Sequence, residues 1–153
     1  MAIRAILTGV PPEIYTSVTA SGGFIPSVKV LGRSYDWQKF GRVGLDTAWF
    51  SLHQAFSKAG APLLFALVGD YHPAGGLDLF SQSSRGEPYL AYVSPELTKD
   101  VAAALAKFPI RQILPDLETD ARYRAYCLAY FDDLVSFYKK AARKGEAVFI
   151  SID

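Results

Sequence analysis

Asp46, Trp49 and His53 pair complementary chemistry with helical spacing. Steps of three and four residues put them on one face of a helix. There a carboxylate could orient an imidazole beside an indole, and together they could bind a small polar ligand. Phe50 could take the place of the indole. The same residues have an ordinary account: Asp46 caps the helix, Trp49 fills the core and His53 makes a buried hydrogen bond. The sequence leaves both accounts open.

Other reactive side chains are sparse. His53 and His72 are the two histidines and Cys127 the one cysteine, so a metal centre would have to draw its remaining ligands from carboxylates. No metal or cofactor is expected. Cys127 falls within an apolar helical stripe, where a free cysteine behaves as a small hydrophobe. Asp116, Glu118 and Asp120 alternate like part of a calcium loop but lack its turn glycine and distal glutamate. They read better as acids at the start of a long helix. Gly22-Gly23 and Gly75-Gly76 match neither a P-loop nor a dinucleotide fingerprint, and no Gly-x-Ser-x-Gly elbow occurs. The expectation is a binding protein rather than an enzyme.

A second group of residues is suited to contact. Arg33, Tyr35, Trp37, Lys39 and Phe40 combine the side-chain types enriched at interface hot spots. Residues 69–88 hold Gly69, Pro73, Gly75, Gly76, Gly86 and Pro88, and this long loop adds Tyr71 and His72 to a prospective partner-binding surface. Packing of these aromatics into the core is the competing account.

The composition sets the frame for both groups. The 153 residues are 50% hydrophobic and 20% charged with a net charge of +1, enough apolar material for a core and too little charge imbalance for disorder. A nucleic-acid partner is not expected without a basic surplus. No apolar run approaches membrane-spanning length, since Pro62–Val68 stops after seven residues. The charge is uneven: residues 1–44 carry five bases and two acids, residues 45–100 three bases and six acids. With one cysteine and no signal-peptide pattern at the N-terminus, the expected location is the cytoplasm.

Local patterning predicts the elements that would position these residues. Residues 2–8 read as a strand, and Pro12 opens a short helix through Thr19. Residues 24–43 have no regular pattern. A helix is predicted over Leu45–Lys58 with Asp46 as its cap and Gly60 at its end. Leu63–Val68 fits either a buried helical turn or a strand. Tyr89–Val93 reads as a strand, and Ser94-Pro95-Glu96 starts a helix that runs to Pro109 with Val101, Leu105 and Phe108 inward. The last helix is predicted over Glu118–Lys144. Its stripe is Tyr123, Cys127, Tyr130, Leu134, Phe137 and Ala141, followed by Gly145 and a strand over Ala147–Ile152. The fold expected is a single α+β domain over residues 1–153, with several helices on a mixed sheet of three or four strands that includes both chain ends.

Four blocks carry a family resemblance. Leu45-Asp46-Thr47-Ala48-Trp49-Phe50-Ser51-Leu52-His53 is similar to an LDxxWxxLH helix, and Leu67-Val68-Gly69-Asp70 to an hhGGE turn. Tyr89–Glu96 is similar to a strand leading into a Thr/Ser-Pro-Glu helix start, and Phe137–Val148 to a helix-Gly-strand ending. In this order they resemble the YfbM-like family of bacterial proteins with a domain of unknown function. Residues 22–43 show no such likeness. The resemblance implies an α+β fold and a cytoplasmic bacterial protein, and it implies no chemistry. The function expected is direct binding of a protein partner, as an immunity protein or antitoxin binds its toxin. A small-ligand site or enzyme at Asp46, Trp49 and His53 is the alternative.

Overall fold

The computed structural model describes residues 4–19, 40–69 and 89–152. Its elements begin with strand β1 (Ala5–Val10), helix α1 (Pro12–Thr19), strand β2 (Arg42–Asp46) and helix α2 (Ala48–Ala59). A 3₁₀ turn (Leu63–Phe65) and strand β3 (Tyr89–Val93) come next. Helices α3 (Pro95–Lys107), α4 (Ile110–Leu117) and α5 (Ala121–Arg143) then lead to strand β4 (Ala147–Ile152).

The strands form one sheet in the order β2-β1-β4-β3. Leu7 of β1 pairs with Val43 on one side and Ile150 on the other, so the first and last strands are the central pair. This is the α+β arrangement the sequence implies, with the long last helix delivering the terminal strand. The sheet is not mixed, however: every pairing among the described residues is antiparallel. A parallel pair is usually joined by a single crossover helix. Here α3, α4 and α5 intervene between β3 and β4 and return the chain to the end of the sheet it left, with Val148 opposite Val93.

The two faces of the sheet are buried differently. One packs Ala5, Leu7, Leu45, Val93, Val148 and Ile150 against the long helices. Trp49, Leu52 and Phe56 of α2 enter that core beside Cys127, Phe131, Leu134 and Tyr138 of α5. On the other face α1 lays Val18 on Val10, Tyr92, Ala147 and Phe149, with Tyr15 edge-on to Tyr92 at 5.3 Å.

The helix ends explain why the elements stop where they do. Ser94 Oγ accepts from Leu97 N–H and Pro95 takes the first helical position, so α3 starts where its sequence says. Asp120 Oδ1 accepts from Arg122 N–H and Tyr123 N–H, which starts α5 three residues later than predicted. Gly145 ends α5 with φ +69, a conformation that favours glycine. Gly69 is equally constrained: at φ +73, an added Cβ would lie 2.6 Å from the Tyr92 carbonyl oxygen.

One sequence expectation is corrected, one segment without an assignment proves helical, and one left open between helical turn and strand takes the first form. Residues 42–46 form β2 rather than irregular chain and helix, because Val43 and Leu45 are drawn into the sheet beside β1. Residues 110–117 are helical despite Pro115, whose place in the second half of α4 does not prevent Ile110 and Leu114 from reaching the core. Leu63–Val68 is a buried 3₁₀ turn and the bends after it, pinned by the Tyr138 hydroxyl donating to the Ala66 carbonyl at 2.6 Å.

Candidate functional site

The start of α2 packs against the start of α5, and most of the polar side chains with unusual surroundings meet there. β2 ends at Asp46 in a left-handed conformation, φ +47. The Tyr126 hydroxyl donates to Asp46 Oδ2 at 2.8 Å, and Arg4 Nε lies 3.3 Å from Asp46 Oδ1. Thr47 precedes the first turn of α2 without capping it through its side chain. Its carbonyl accepts from the Tyr123 hydroxyl at 3.1 Å. Tyr123, Tyr126 and Tyr130, three and four apart on α5, form an aromatic row with Tyr123 stacked on Tyr126 at 5.5 Å and Tyr126 edge-on to Tyr130 at 4.8 Å. Desolvation pushes the Tyr126 hydroxyl above its ordinary pKa, and donation to Asp46 pushes it the same way.

Asp46 is therefore not the cap of α2 and does not share a helix face with Trp49 and His53. It is the last residue of β2. Trp49 is buried in the core and faces His53 at a centroid distance of 6.3 Å. His53 Nε2 is 3.3 Å from the Ser57 hydroxyl, while Nδ1 is buried with no hydrogen-bond partner. Burial lowers the His53 pKa, so its ring is neutral at neutral pH. Cys127 is fully buried, and burial pushes its thiol up, with Ser51 and Tyr123 acting weakly in the other direction. That is the inert cysteine its sequence setting implies.

Beside the tyrosine row lies an open cleft of about 410 Å³ between α2 and the α4–α5 junction. Phe50, Ser51 and Gln54 line it from α2, and Leu117, Glu118, Asp120 and Tyr123 from the junction. Phe50 stands 40% exposed and packs edge-on to Trp49 at 5.8 Å. Ser51 is buried. Asp120 Oδ1 is committed to capping α5, and Glu118 Oε1 accepts from Asp120 N–H at 3.1 Å. Glu118 and Asp120, which by sequence read as acids at the start of the long helix, instead border this cleft. The i, i+4 pair Phe50 and Gln54, off the apolar face of α2, was the signal available for it. Among the described residues no group of three or more His, Cys, Asp or Glu could hold a metal ion. No helix among them is long and apolar enough to cross a membrane.

Of the contact residues, Phe40 is half-buried just before β2. Arg33, Tyr35, Trp37, Lys39, Tyr71 and His72 lie outside the described residues.

A family model for a domain of unknown function, DUF1877, matches residues 28–151. The chain belongs to this family. The YfbM-like resemblance is thereby established, and it reaches further than the four motif blocks suggest: most of residues 22–43 falls within the match. The fold is similar to the crystal structure of YfbM from Escherichia coli, a protein of unknown function. The TM-score is 0.68 at 14% identity, with 100% of each chain covered. At that identity the likeness is one of fold. No curated protein matches the chain.

Proposed function

We propose that this DUF1877 member is a non-enzymatic binding protein for a protein partner, an immunity protein or antitoxin that neutralises a toxin in the bacterial cytoplasm by direct contact. The observation that carries the reading is Phe50, a large aromatic 40% exposed beside Tyr123. Aromatic residues are enriched at protein interfaces and dominate their energetics. Arg33, Tyr35, Trp37, Lys39, Phe40, Tyr71 and His72 supply further side chains of the same kind, and the basic N-terminal third suits a partner with an acidic patch. The test is co-expression with the product of the adjacent gene, co-elution, and calorimetry on the complex. Trp37→Ala and Arg33→Ala should each weaken binding by at least about 1–2 kcal/mol with the fold unchanged. No complex with that product, or full affinity in both variants, would reject the reading.

A second reading is favoured by one observation, the buried His53 Nδ1 without a partner. A small polar ligand reaching His53 beside Trp49 would satisfy it. Loss of a small molecule's binding in His53→Ala, with no protein partner recovered, would make this the better reading.

A further inference from the structure

The cleft between α2 and the α4–α5 junction carries its own chemical signature. Among the described residues that line it, two are acids, Glu118 and Asp120, and none is basic. Each carboxylate uses one oxygen locally: Asp120 Oδ1 on the N–H groups of Arg122 and Tyr123, Glu118 Oε1 on the Asp120 N–H. Their second oxygens have no hydrogen-bond partner among the described residues. Asp120 faces the positive end of the α5 dipole, which offsets part of its charge. Glu118 is thus the stronger attractant for a cation. Arg124 is not that cation, because its Nη1 donates to the Glu118 and Thr119 carbonyls at 3.1 Å and the residue does not line the cleft.

The remaining walls select among cations. Phe50 offers the exposed part of a ring held edge-on by Trp49, and Tyr123 a ring fixed in place by its hydroxyl donating to the Thr47 carbonyl. The Gln54 side-chain carbonyl adds a neutral acceptor at the same surface. A flat, delocalised cation with several in-plane donors matches aromatic faces flanked by acceptors better than a compact, strongly hydrated ammonium does.

We propose that this cleft seats the guanidinium of an arginine side chain presented by a protein partner, stacked on Phe50 and paired with Glu118. The partner as source rests on the protein-binding reading above. The guanidinium specificity rests on the cleft alone.

The test follows amide NMR of the isotope-labelled full chain titrated with three probes: acetyl-arginine-methylamide, the uncharged acetyl-citrulline-methylamide, and free L-arginine. The blocked arginine should shift the amides of Phe50, Gln54, Glu118 and Tyr123 and bind at least about fivefold tighter than the citrulline probe. Glu118→Gln keeps an oxygen to accept from Asp120 N–H and should weaken the arginine probe about fivefold, and Phe50→Ala by roughly threefold. Equal binding of the citrulline probe, shifts confined to other regions, or unchanged affinity in Glu118→Gln would overturn the proposal. Free L-arginine binding about tenfold tighter than the blocked probe would also overturn it, because the site would then recognise an amino acid rather than a side chain. Failure of the protein-binding reading looks different: the adjacent gene product forms no complex while the blocked arginine still shifts the cleft. That result would remove the partner as the arginine's source.

Discussion

The starts of α3 and α5 contrast with the start of α2. In the first two, one side chain next to the helix accepts from its first N–H groups: Ser94 from Leu97, Asp120 from Arg122 and Tyr123. At α2, Thr47 makes no such bond. The turn into α2 is held from outside instead, by Tyr123 on the Thr47 carbonyl and by Tyr126 and Arg4 on Asp46. Tyr123 and Tyr126, 76 and 80 positions away, thus fix the turn into α2, although as donors they satisfy none of its first N–H groups. A locally capped helix can form its first turn before the domain closes, whereas the start of α2 is fixed only once α5 is docked. The cleft and the aromatic row lie at this second kind of junction.

The largest expected effect tests the docking of α5 itself. Leu134 is fully buried among the side chains that join α5 to the core. Leu134→Ala should cost about 2–5 kcal/mol in denaturant unfolding, through lost burial and the cavity left behind. The α2 junction depends on the same docking, so near-ultraviolet dichroism from Trp49 and the tyrosine row should fall in the same transition. A loss below about 0.5 kcal/mol would mean that this face of α5 does not carry the core.

The same contrast explains what was legible beforehand. Pro12, Ser94-Pro95-Glu96, Gly145 and the short apolar run Ala147–Ile152 act through near neighbours, so the elements they mark match or nearly match the structure. The stripe Cys127, Leu134, Phe137 and Ala141 is a periodicity within one helix and lies in the core as read, though Phe131 and Tyr138 widen it. Asp46 was misread for the opposite reason. Its type and place, just ahead of an apolar helical pattern, are those of a cap, but its partners Tyr126 and Arg4 are distant in sequence. β2 was missed likewise, since its five residues are defined by pairing to β1 and carry no alternation of their own. The cleft inherits both problems, because it exists only where α2 meets a junction whose helix α4 the sequence left unassigned.

The middle prediction sets the two kinds of helix start side by side. Asp120→Ala should cost about 1 kcal/mol, within the roughly 0.5–2 kcal/mol typical of a lost N-cap. Thr47→Ala, at the corresponding position of α2, should cost less than about 0.5 kcal/mol, because its hydroxyl caps nothing and lies 3.5 Å from the Tyr126 hydroxyl. Chemical denaturation of the two variants measures the difference. Equal losses would mean that Thr47 caps α2 in solution and that the two starts are alike.

The smallest expected effect isolates what holds Asp46. Three features act on it: the left-handed backbone at φ +47, the hydrogen bond from Tyr126 and the ion pair with Arg4. Asparagine tolerates the left-handed region and still offers a side-chain oxygen to Tyr126, so Asp46→Asn removes the ion pair alone. The Arg4 and Asp46 side chains are 68% and 42% exposed, which places the pair among surface ion pairs worth roughly 0–1 kcal/mol and weakened by salt. The expected loss in Asp46→Asn is below about 0.5 kcal/mol at moderate ionic strength, shrinking further as salt is added. Unfolding at low and high salt measures both. A loss above about 1.5 kcal/mol that vanishes in high salt would show that charge holds the turn into α2. A small loss insensitive to salt would leave the Tyr126 hydrogen bond and the backbone conformation as what fixes Asp46, with the tyrosine row of α5 setting where α2 begins.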